Sequence, residues 1–420
     1  SDLHLLPPYE FTANTTKLVQ MLRKGHHKAA LDAGAWERLI TWIDLGGPAH
    51  GTWTETVGAN RIAGQHVRRM EMRKLYAGLD EDPEAIVNPY NPPASPPKAP
   101  QPEPVVAAGA VACAGWPFDA AEAARRQAQG GPHTQTIDLG GATINLVRIP
   151  AGALVMGDAN GLPDEKPASA VKIDRAFWMA TTEITNEQYR LFDPSHDSRL
   201  ERGAFLQFSQ AERGFALNAP TQPVVRVSWL EAMAFCRWLG DKTGQHFTLP
   251  TEAQWEYACR AGTATPLNYG DVGVDHGKLA NLADINVKQM SVLGFGLPHG
   301  AIPAWHPTDG KFNDGARVSA EVGKYLPNAW GLHDMHGNVC EWTRSDYRPQ
   351  PYLDDDGRNG QSPTTPKAVR GGSWYDRPIE ARSGFRLGYL PHQGVYDAGF
   401  RVICEPAPAA KPAVAGAVKK

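Results

Sequence analysis

The sequence contains no C-x-x-C pair among its five cysteines, which argues against a zinc knuckle, a thioredoxin-like site and c-type haem attachment. It contains no run of about 18 apolar residues, the length that a membrane-spanning helix needs. The formal net charge is only -3, so no excess of either sign points to a charged partner. These absences favour a globular protein whose partners are neither nucleic acids nor membranes.

Glycine and proline, by contrast, are abundant, with 42 and 35 residues among 420. Both residue types interrupt helices and strands, so we expect a loop-rich fold with long connections between short elements. The chain also has 12 tryptophans, whose large rings can fill a core that has little regular structure.

Composition divides the chain into four parts. Residues 1–87 predict a small helical segment, and residues 88–130 predict a linker rich in proline and alanine, which is extended and semi-rigid where proline dominates. Residues 131–406 predict one larger domain, and residues 407–420 a flexible tail. In the first part, apolar residues at helical spacing predict helices at residues 16–23, 31–45 and 64–76.

The larger domain is predicted to begin with strands and to continue with capped helices. Residues 134–138 and 142–149 predict a hairpin around Gly140 and Gly141, and residues 171–179 predict a further strand. Helices are predicted at residues 183–192, 228–242 and 251–261, with N-caps at Thr185, Ser228 and Thr251 and capping boxes completed by Glu231 and Gln254.

Seven sequence blocks in one order carry a family resemblance. They read IPAGALVMGD, TTEITNEQYRLF, PVVRVSWLEAMAFCRWL, LPTEAQWEYACRAG, NAWGLHDMHGNVCEWT, VRGGSW and GFRV. In order and spacing this resembles the formylglycine-generating-enzyme or sulfatase-modifying-factor family. The resemblance implies an α+β, loop-rich, C-type lectin-like fold in which calcium holds the long loops.

The resemblance also implies two calcium sites, whose ligands would be side chains and backbone carbonyls. Calcium takes about six to eight oxygen ligands, and the turn DMHGNVCEW supplies two carboxylates with carbonyls between them. The alternative is that these carboxylates only cap backbone amides. The first site resembles Asn281, Leu282, Asp314 and Ala316, and the second resembles Asp334, Gly337, Val339 and Glu341.

The catalytic residues of the family do not carry over. Active members have two cysteines shortly after the RGGS block that bind copper(I), a metal that selects soft thiolates. The matching positions resemble Asp376 and Ala381, and no cysteine lies between Cys340 and Cys404. We therefore expect no copper and no catalytic residue of that type, and we interpret Cys340 as a packing residue.

We also expect no iron to be bound. A second enzymatic branch of the fold, the sulfoxide synthases of ergothioneine synthesis, uses spaced histidines and a glutamate in an N-terminal bundle. Here His26 and His27 are adjacent and His50 stands alone, so the spacing is missing. The first two follow a predicted helix, where a positive side chain interacts favourably with the C-terminal dipole.

The segment after RGGS is the candidate ligand-binding face, because aromatic and arginine side chains are typical of binding surfaces. This tail also resembles the variable proteins of diversity-generating retroelements. The alternative is that Arg382 and Arg386 are buried and paired with carboxylates such as Glu341. The candidate residues are Trp374, Tyr375, Asp376, Arg377, Arg382, Arg386, Tyr389 and His392.

Three hypotheses for function remain open. The first is a calcium-stabilised module that binds a peptide, glycan or protein, and the second is an oxidoreductase of the same superfamily with altered chemistry. The third is an accessory domain of a larger redox protein, because the first 60 or so residues resemble segments that precede such domains in large hydrazine-synthase-alpha-like or cytochrome-like bacterial proteins. Calcium sites favour a periplasmic or secreted setting.

Overall fold

The computed structural model describes residues 64–78, 80, 111–201, 215–287 and 308–406, with single residues between 18 and 40. The chain forms two compact units, residues 5–107 and residues 108–420 with residues 1–4. In the first unit, helix α1 covers Gln65–Ala77, which confirms the helix predicted at residues 64–76. The described residues near positions 18–22 and 34–40 are helical, and the rest of the two earlier predicted helices lies outside the described residues.

The second unit alternates short strands and short helices. Helix α2 covers Ala120–Ala128, within residues 88–130, which the sequence analysis assigns to a linker. The strands before the next helix are β1 (Thr134–Asp138), β2 (Thr143–Ile149), β3 (Gly152–Met156), β4 (Ser169–Ile173) and β5 (Phe177–Ala180). The later elements are α3 (Asn186–Arg190), β6 (Leu200–Glu201), β7 (Phe215–Ala216), α4 (Trp229–Thr243), β8 (His246–Thr248), α5 (Glu252–Arg260), β9 (Cys340–Asp346), β10 (Lys367–Arg370), β11 (Leu387–Tyr389), β12 (Ala398–Gly399) and β13 (Ile403–Glu405).

The first sheet has five strands in the order β1-β2-β5-β13-β8. The predicted hairpin is confirmed, because β1 and β2 pair antiparallel with Thr134 opposite Val147. Gly140 has a φ of 75° in the connecting turn, a backbone conformation that glycine adopts without a steric cost. The last strand in the described part of the chain, β13, lies between β5 and β8, so the end of the domain forms an inner strand of this sheet.

The single strand predicted at residues 171–179 is wrong. The structure divides that segment into β4, which pairs with β3 in a separate two-stranded sheet, and β5, which joins the first sheet. The two charged residues Asp174 and Arg175 lie between them and outside both strands. The apolar residues at positions 171, 173, 177 and 179 share one alternating series that only Arg175 interrupts, which is why the pattern alone joins the two strands.

The predicted helix caps are confirmed. The Ser228 side chain accepts a hydrogen bond from the backbone N–H of Glu231, and the Glu231 carboxylate accepts one from the Ser228 N–H. Thr251 and Gln254 make the same reciprocal pair at the start of α5. Each box satisfies two N–H groups that no helical carbonyl can reach, so these helix starts are fixed by local sequence.

The second sheet has four strands in the order β11-β10-β9-β12, and its β9–β12 pairing is parallel. The described residues between α5 and β9 contain isolated bridges but no α-helix or paired strand, in agreement with the expected long connections between short elements. The fold is therefore α+β and loop-rich, as predicted. Within the described part of the chain, no helix combines the length and apolar character of a membrane crossing.

Candidate functional site

Buried arginines hold together the segments on which the predicted ligand-binding face depends. Glu252, at the first turn of α5, is fully buried and accepts hydrogen bonds from Arg386 Nε at 2.5 Å and Nη2 at 2.9 Å. Arg370 donates to the same carboxylate at 3.2 Å and also to Glu256. Burial raises the pKa of Glu252, but the charges of Arg386 and Arg370 outweigh burial and keep the pKa below its usual value.

Two further arginines are paired in the same way. Arg382 donates to Glu165 at 2.5 and 2.8 Å and to Asp158 at 2.9 Å. Arg401, in the closing GFRV block, binds both carboxylate oxygens of Glu341 at 2.6 and 2.8 Å. Arg382 and Arg386 therefore match the alternative of buried, paired arginines, although their partners are Glu165 and Glu252.

The remaining residues of the predicted face differ in their exposure. Trp374 and Tyr389 are 0% and 1% exposed, so neither ring can contact a ligand without rearrangement. Tyr375 and Arg377 are half-buried and His392 is exposed. The side chain of Arg377 donates to Glu380 at 2.6 Å within a capping box. The accessible part of the predicted face is therefore narrow.

Asp376 and Ala381 occupy the two positions at which the family resemblance implies copper cysteines. One Asp376 carboxylate oxygen accepts hydrogen bonds from Ser373 N at 2.9 Å and from Ser373 Oγ at 2.8 Å. Ala381 is fully buried at the end of a short 3-10 helix. A hard carboxylate and a methyl group are the wrong donors for copper(I), so the residues present do not fit that ion.

The first predicted calcium cluster surrounds Asp314. Its carboxylate accepts hydrogen bonds from the backbone N–H of Leu282 and of Ala316, both at 2.8 Å. The Asn281 side chain donates to Val318 O, while its own oxygen has no partner among the described residues. Burial raises the pKa of Asp314 to about 7. The Asp314 carboxylate thus caps backbone amides. The buried side-chain oxygen of Asn281 can still accept a further partner.

The second predicted cluster includes a residue that sequence reasoning missed. Glu341 is bound by Arg401 and by Trp255 Nε1, whereas Asp334 Oδ1 and Glu183 Oε2 are buried without a hydrogen-bond partner in the described chain. Burial and the proximity of Asp334 raise the pKa of Glu183 well above its usual value. Buried oxygens of this kind fit a hard cation, and Glu183, far away in sequence, carries no local signal that would place it near Asp334.

A third group was also missed, because Cys340 was interpreted as a packing residue. Cys340 Sγ and one carboxylate oxygen each of Asp376 and Asp397 lie within 4.8 Å of one another, and all three residues are buried. Cys340 begins β9, Asp376 follows the RGGS block and Asp397 precedes β12. Three segments meet here, so no spacing in the sequence could have indicated the cluster.

Comparison with known proteins identifies a family for most of this domain. Residues 140–406, more than half of the chain, match the family model of the sulfatase-modifying factor enzyme 1-like domain. Formylglycine-generating enzyme from Bos taurus is 27% identical over 307 residues, covering 63% of this chain and 75% of the relative. Inactive C-alpha-formylglycine-generating enzyme 2 from the same organism is also 27% identical, over 312 residues, covering 63% and 90%.

Among solved structures, PvdO from Pseudomonas aeruginosa is similar at 24% identity with a TM-score of 0.48, covering 66% of this chain and 99% of that one. The strands and helices described above define an α+β, loop-rich domain. The chain belongs to the sulfatase-modifying factor enzyme 1-like family.

Proposed function

We propose that the family domain of this chain is a calcium-stabilised module that binds a peptide, glycan or protein, and that it does not oxidise cysteine by the copper route. The observation that carries the proposal is the pair Asp376 and Ala381 at the positions where the family resemblance places the copper thiols. Asp376 is hydrogen-bonded to Ser373 and Ala381 has no donor atom. One curated relative bears the name of an inactive enzyme, so the family includes members described in this way.

The proposed ligand surface is the accessible part of the segment after RGGS. It comprises the half-buried Tyr375 and Arg377 and the exposed His392, with Ile379 and Leu390 exposed by 47% and 40% nearby in the sequence. Aromatic and arginine side chains beside apolar ones are typical of protein interfaces. A calcium-dependent module of this kind suits an environment outside the cytoplasm, and we propose a periplasmic or secreted location.

Incubation of the purified protein with copper(I), oxygen and a sulfatase peptide that contains the target cysteine tests the first part of the proposal. We expect no aldehyde product by mass spectrometry and no oxygen consumption, because no thiol pair is available to hold the metal. A curated formylglycine-generating enzyme serves as the positive control. Appearance of the aldehyde with this chain would overturn the proposal, as would oxygen consumption supported by stoichiometric iron.

A matched variant tests whether the two positions are responsible. Asp376→Cys combined with Ala381→Cys is expected to gain tight copper(I) binding that the wild type lacks, measured by competition with a chromophoric copper(I) chelator. Equal copper(I) affinity of wild type and variant would show that the wild type holds the ion elsewhere, and it would contradict the proposal.

Calcium removal is expected to destabilise the family domain. Ions that bind only the folded state stabilise it by about 2.7 kcal/mol at a concentration of roughly 100 times Kd. Chelation should therefore lower the thermal midpoint, and calcium should restore it. Magnesium is the control, since it demands a smaller octahedral site and should restore little. An unchanged midpoint after chelation would contradict the calcium part of the proposal.

A further inference from the structure

We propose that residues 115–128 form a clasp on the loop that leads into the second predicted calcium cluster, and that closure of this clasp and calcium binding reinforce each other. The clasp lies before residue 140, where the family match begins, and most of it is helix α2. The inference rests on the proposed function and adds regulation to it, because a segment that the sequence assigns to a linker would control the affinity for the ion.

The clasp holds Trp330 by hydrogen bonds to both its side chain and its backbone. The indole N–H of Trp330 donates to the backbone carbonyl of Ala123, in α2, at 3.2 Å. The side-chain amide of Gln127 donates to Trp330 O at 3.1 Å and to Arg148 O, in β2, at 3.0 Å. Trp330 is 1% exposed and Gln127 is 8% exposed, so breaking these bonds would leave buried polar groups without partners.

Aromatic packing adds to these hydrogen bonds. The centroid of the Trp330 ring lies 6.1 Å from that of Phe118, in the clasp, and 4.9 Å from that of Tyr257, in α5. The Arg126 guanidinium covers the Phe118 ring at 4.0 Å. Phe118 N–H donates to Gly262 O at 2.9 Å, and a Cβ on Gly262 would lie 2.4 Å from the Phe118 ring. The absence of a side chain at Gly262 therefore makes room for the clasp.

The loop that carries Trp330 leads directly to Asp334 in the second predicted calcium cluster. Asn328 fixes the start of this loop, because its side chain donates to Ala258 O in α5 at 2.8 Å and accepts from the N–H groups of Trp330 and Leu332. Asp334 Oδ1 is buried without a hydrogen-bond partner in the described chain. The position of Trp330 therefore determines where the chain delivers this oxygen, which the proposed ion would bind.

The clasp has the features of an element that opens locally. Only Ala123 and Gln127 are buried among the residues of α2. The ion pairs of Glu122 with Arg125 and Arg126 are partly exposed, and solvent screens them. A helix with so few buried contacts opens at a smaller free-energy cost than the whole domain. If calcium binds the closed form better, it shifts this equilibrium towards closure, and closure raises calcium affinity by the same factor.

Hydrogen exchange of the full-length wild-type protein tests the coupling without any substitution. We expect saturating calcium to slow amide exchange in α2 by about fivefold or more, the lower end of typical coupling between two sites. Magnesium is the control and should have little effect, since it demands a smaller octahedral site. If calorimetry shows that calcium binds while exchange in α2 is unchanged, the coupling is overturned and the proposed function stands. If no calcium binds, both are overturned.

A matched pair of variants in α2 tests the contact itself. Gln127→Met removes the amide that holds Trp330 O but keeps a good helix former of similar length, and we expect calcium binding to weaken by about fivefold or more. Arg125→Met is the control, because Arg125 lies in the same helix, is exposed and hydrogen-bonds to Glu122. It should bind calcium as tightly as the wild type. Equal calcium affinities of folded Gln127→Met and wild type would show that the clasp does not act on the ion site.

Discussion

Replacing Glu252 by glutamine is expected to lower the free energy of unfolding by roughly 3–5 kcal/mol, the usual cost of removing one partner from a buried ion pair. Glu252 is fully buried and is shared by Arg370 and Arg386, which are also buried. Glutamine keeps the shape of the side chain but removes its charge. The guanidinium groups of Arg370 and Arg386 would then have one carboxylate fewer, in a region from which water is excluded.

The expected loss is large because Arg386 depends strongly on this carboxylate. Its other hydrogen bonds go to neutral carbonyls, Asp164 O and Arg348 O, both at 2.9 Å. Arg370 keeps a second carboxylate in Glu256, so the uncompensated charge should reside mainly on Arg386. Because Arg386 connects α5 with the loops that precede β4 and follow β9, the effect should reach the two-stranded sheet of β3 and β4 and the four-stranded sheet that contains β9.

Glu122→Gln is the matched control for this prediction. Glu122 also binds two arginines, Arg125 and Arg126, but on the exposed surface of α2, where solvent screens the charges. Urea unfolding of both variants should show a large decrease in the midpoint for Glu252→Gln and little change for Glu122→Gln. Equal midpoints for Glu252→Gln and wild type would mean that the buried charge contributes nothing to stability.

These arginine pairs mark the limit of sequence-based prediction for this protein. Capping boxes and the Gly140 hairpin could be predicted because the interacting groups are within a few residues of each other. Arg386 and Glu252, in contrast, are 134 positions apart. The sequence raised pairing as an alternative for Arg386, but no periodicity identifies a partner at that distance, so Glu341 was named where the structure has Glu252.

The sequence failed to predict the cluster at Cys340 for a similar reason. A cysteine in an apolar turn is usually a packing residue, and that interpretation holds for its burial. Its neighbours Asp376 and Asp397 are distant in sequence and lie beside it only in the tertiary structure. Residues within a continuous family motif can therefore be named from the sequence. Residues that come together only in the tertiary structure cannot.

Replacing Arg401 by methionine is expected to cost roughly 3–5 kcal/mol in the absence of calcium. Arg401 is fully buried and binds both oxygens of Glu341. Its charge also acts on Glu183 and Asp334, whose carboxylates are buried close by. Methionine keeps much of the apolar volume and removes the cation, so up to three carboxylates would be left in a region that does not solvate them.

Calcium should distinguish this variant from other arginine replacements. If the ion binds at Asp334 and the neighbouring buried oxygens, excess calcium should recover part of the stability that Arg401→Met loses, since the ion supplies the missing positive charge. Arg382→Met is the matched control, because it also breaks a buried pair but its partners are Glu165 and Asp158. Urea unfolding with and without calcium should show a larger gain for Arg401→Met than for Arg382→Met. Equal gains would place calcium away from Arg401 and would contradict a cation site that includes Asp334 and Glu341.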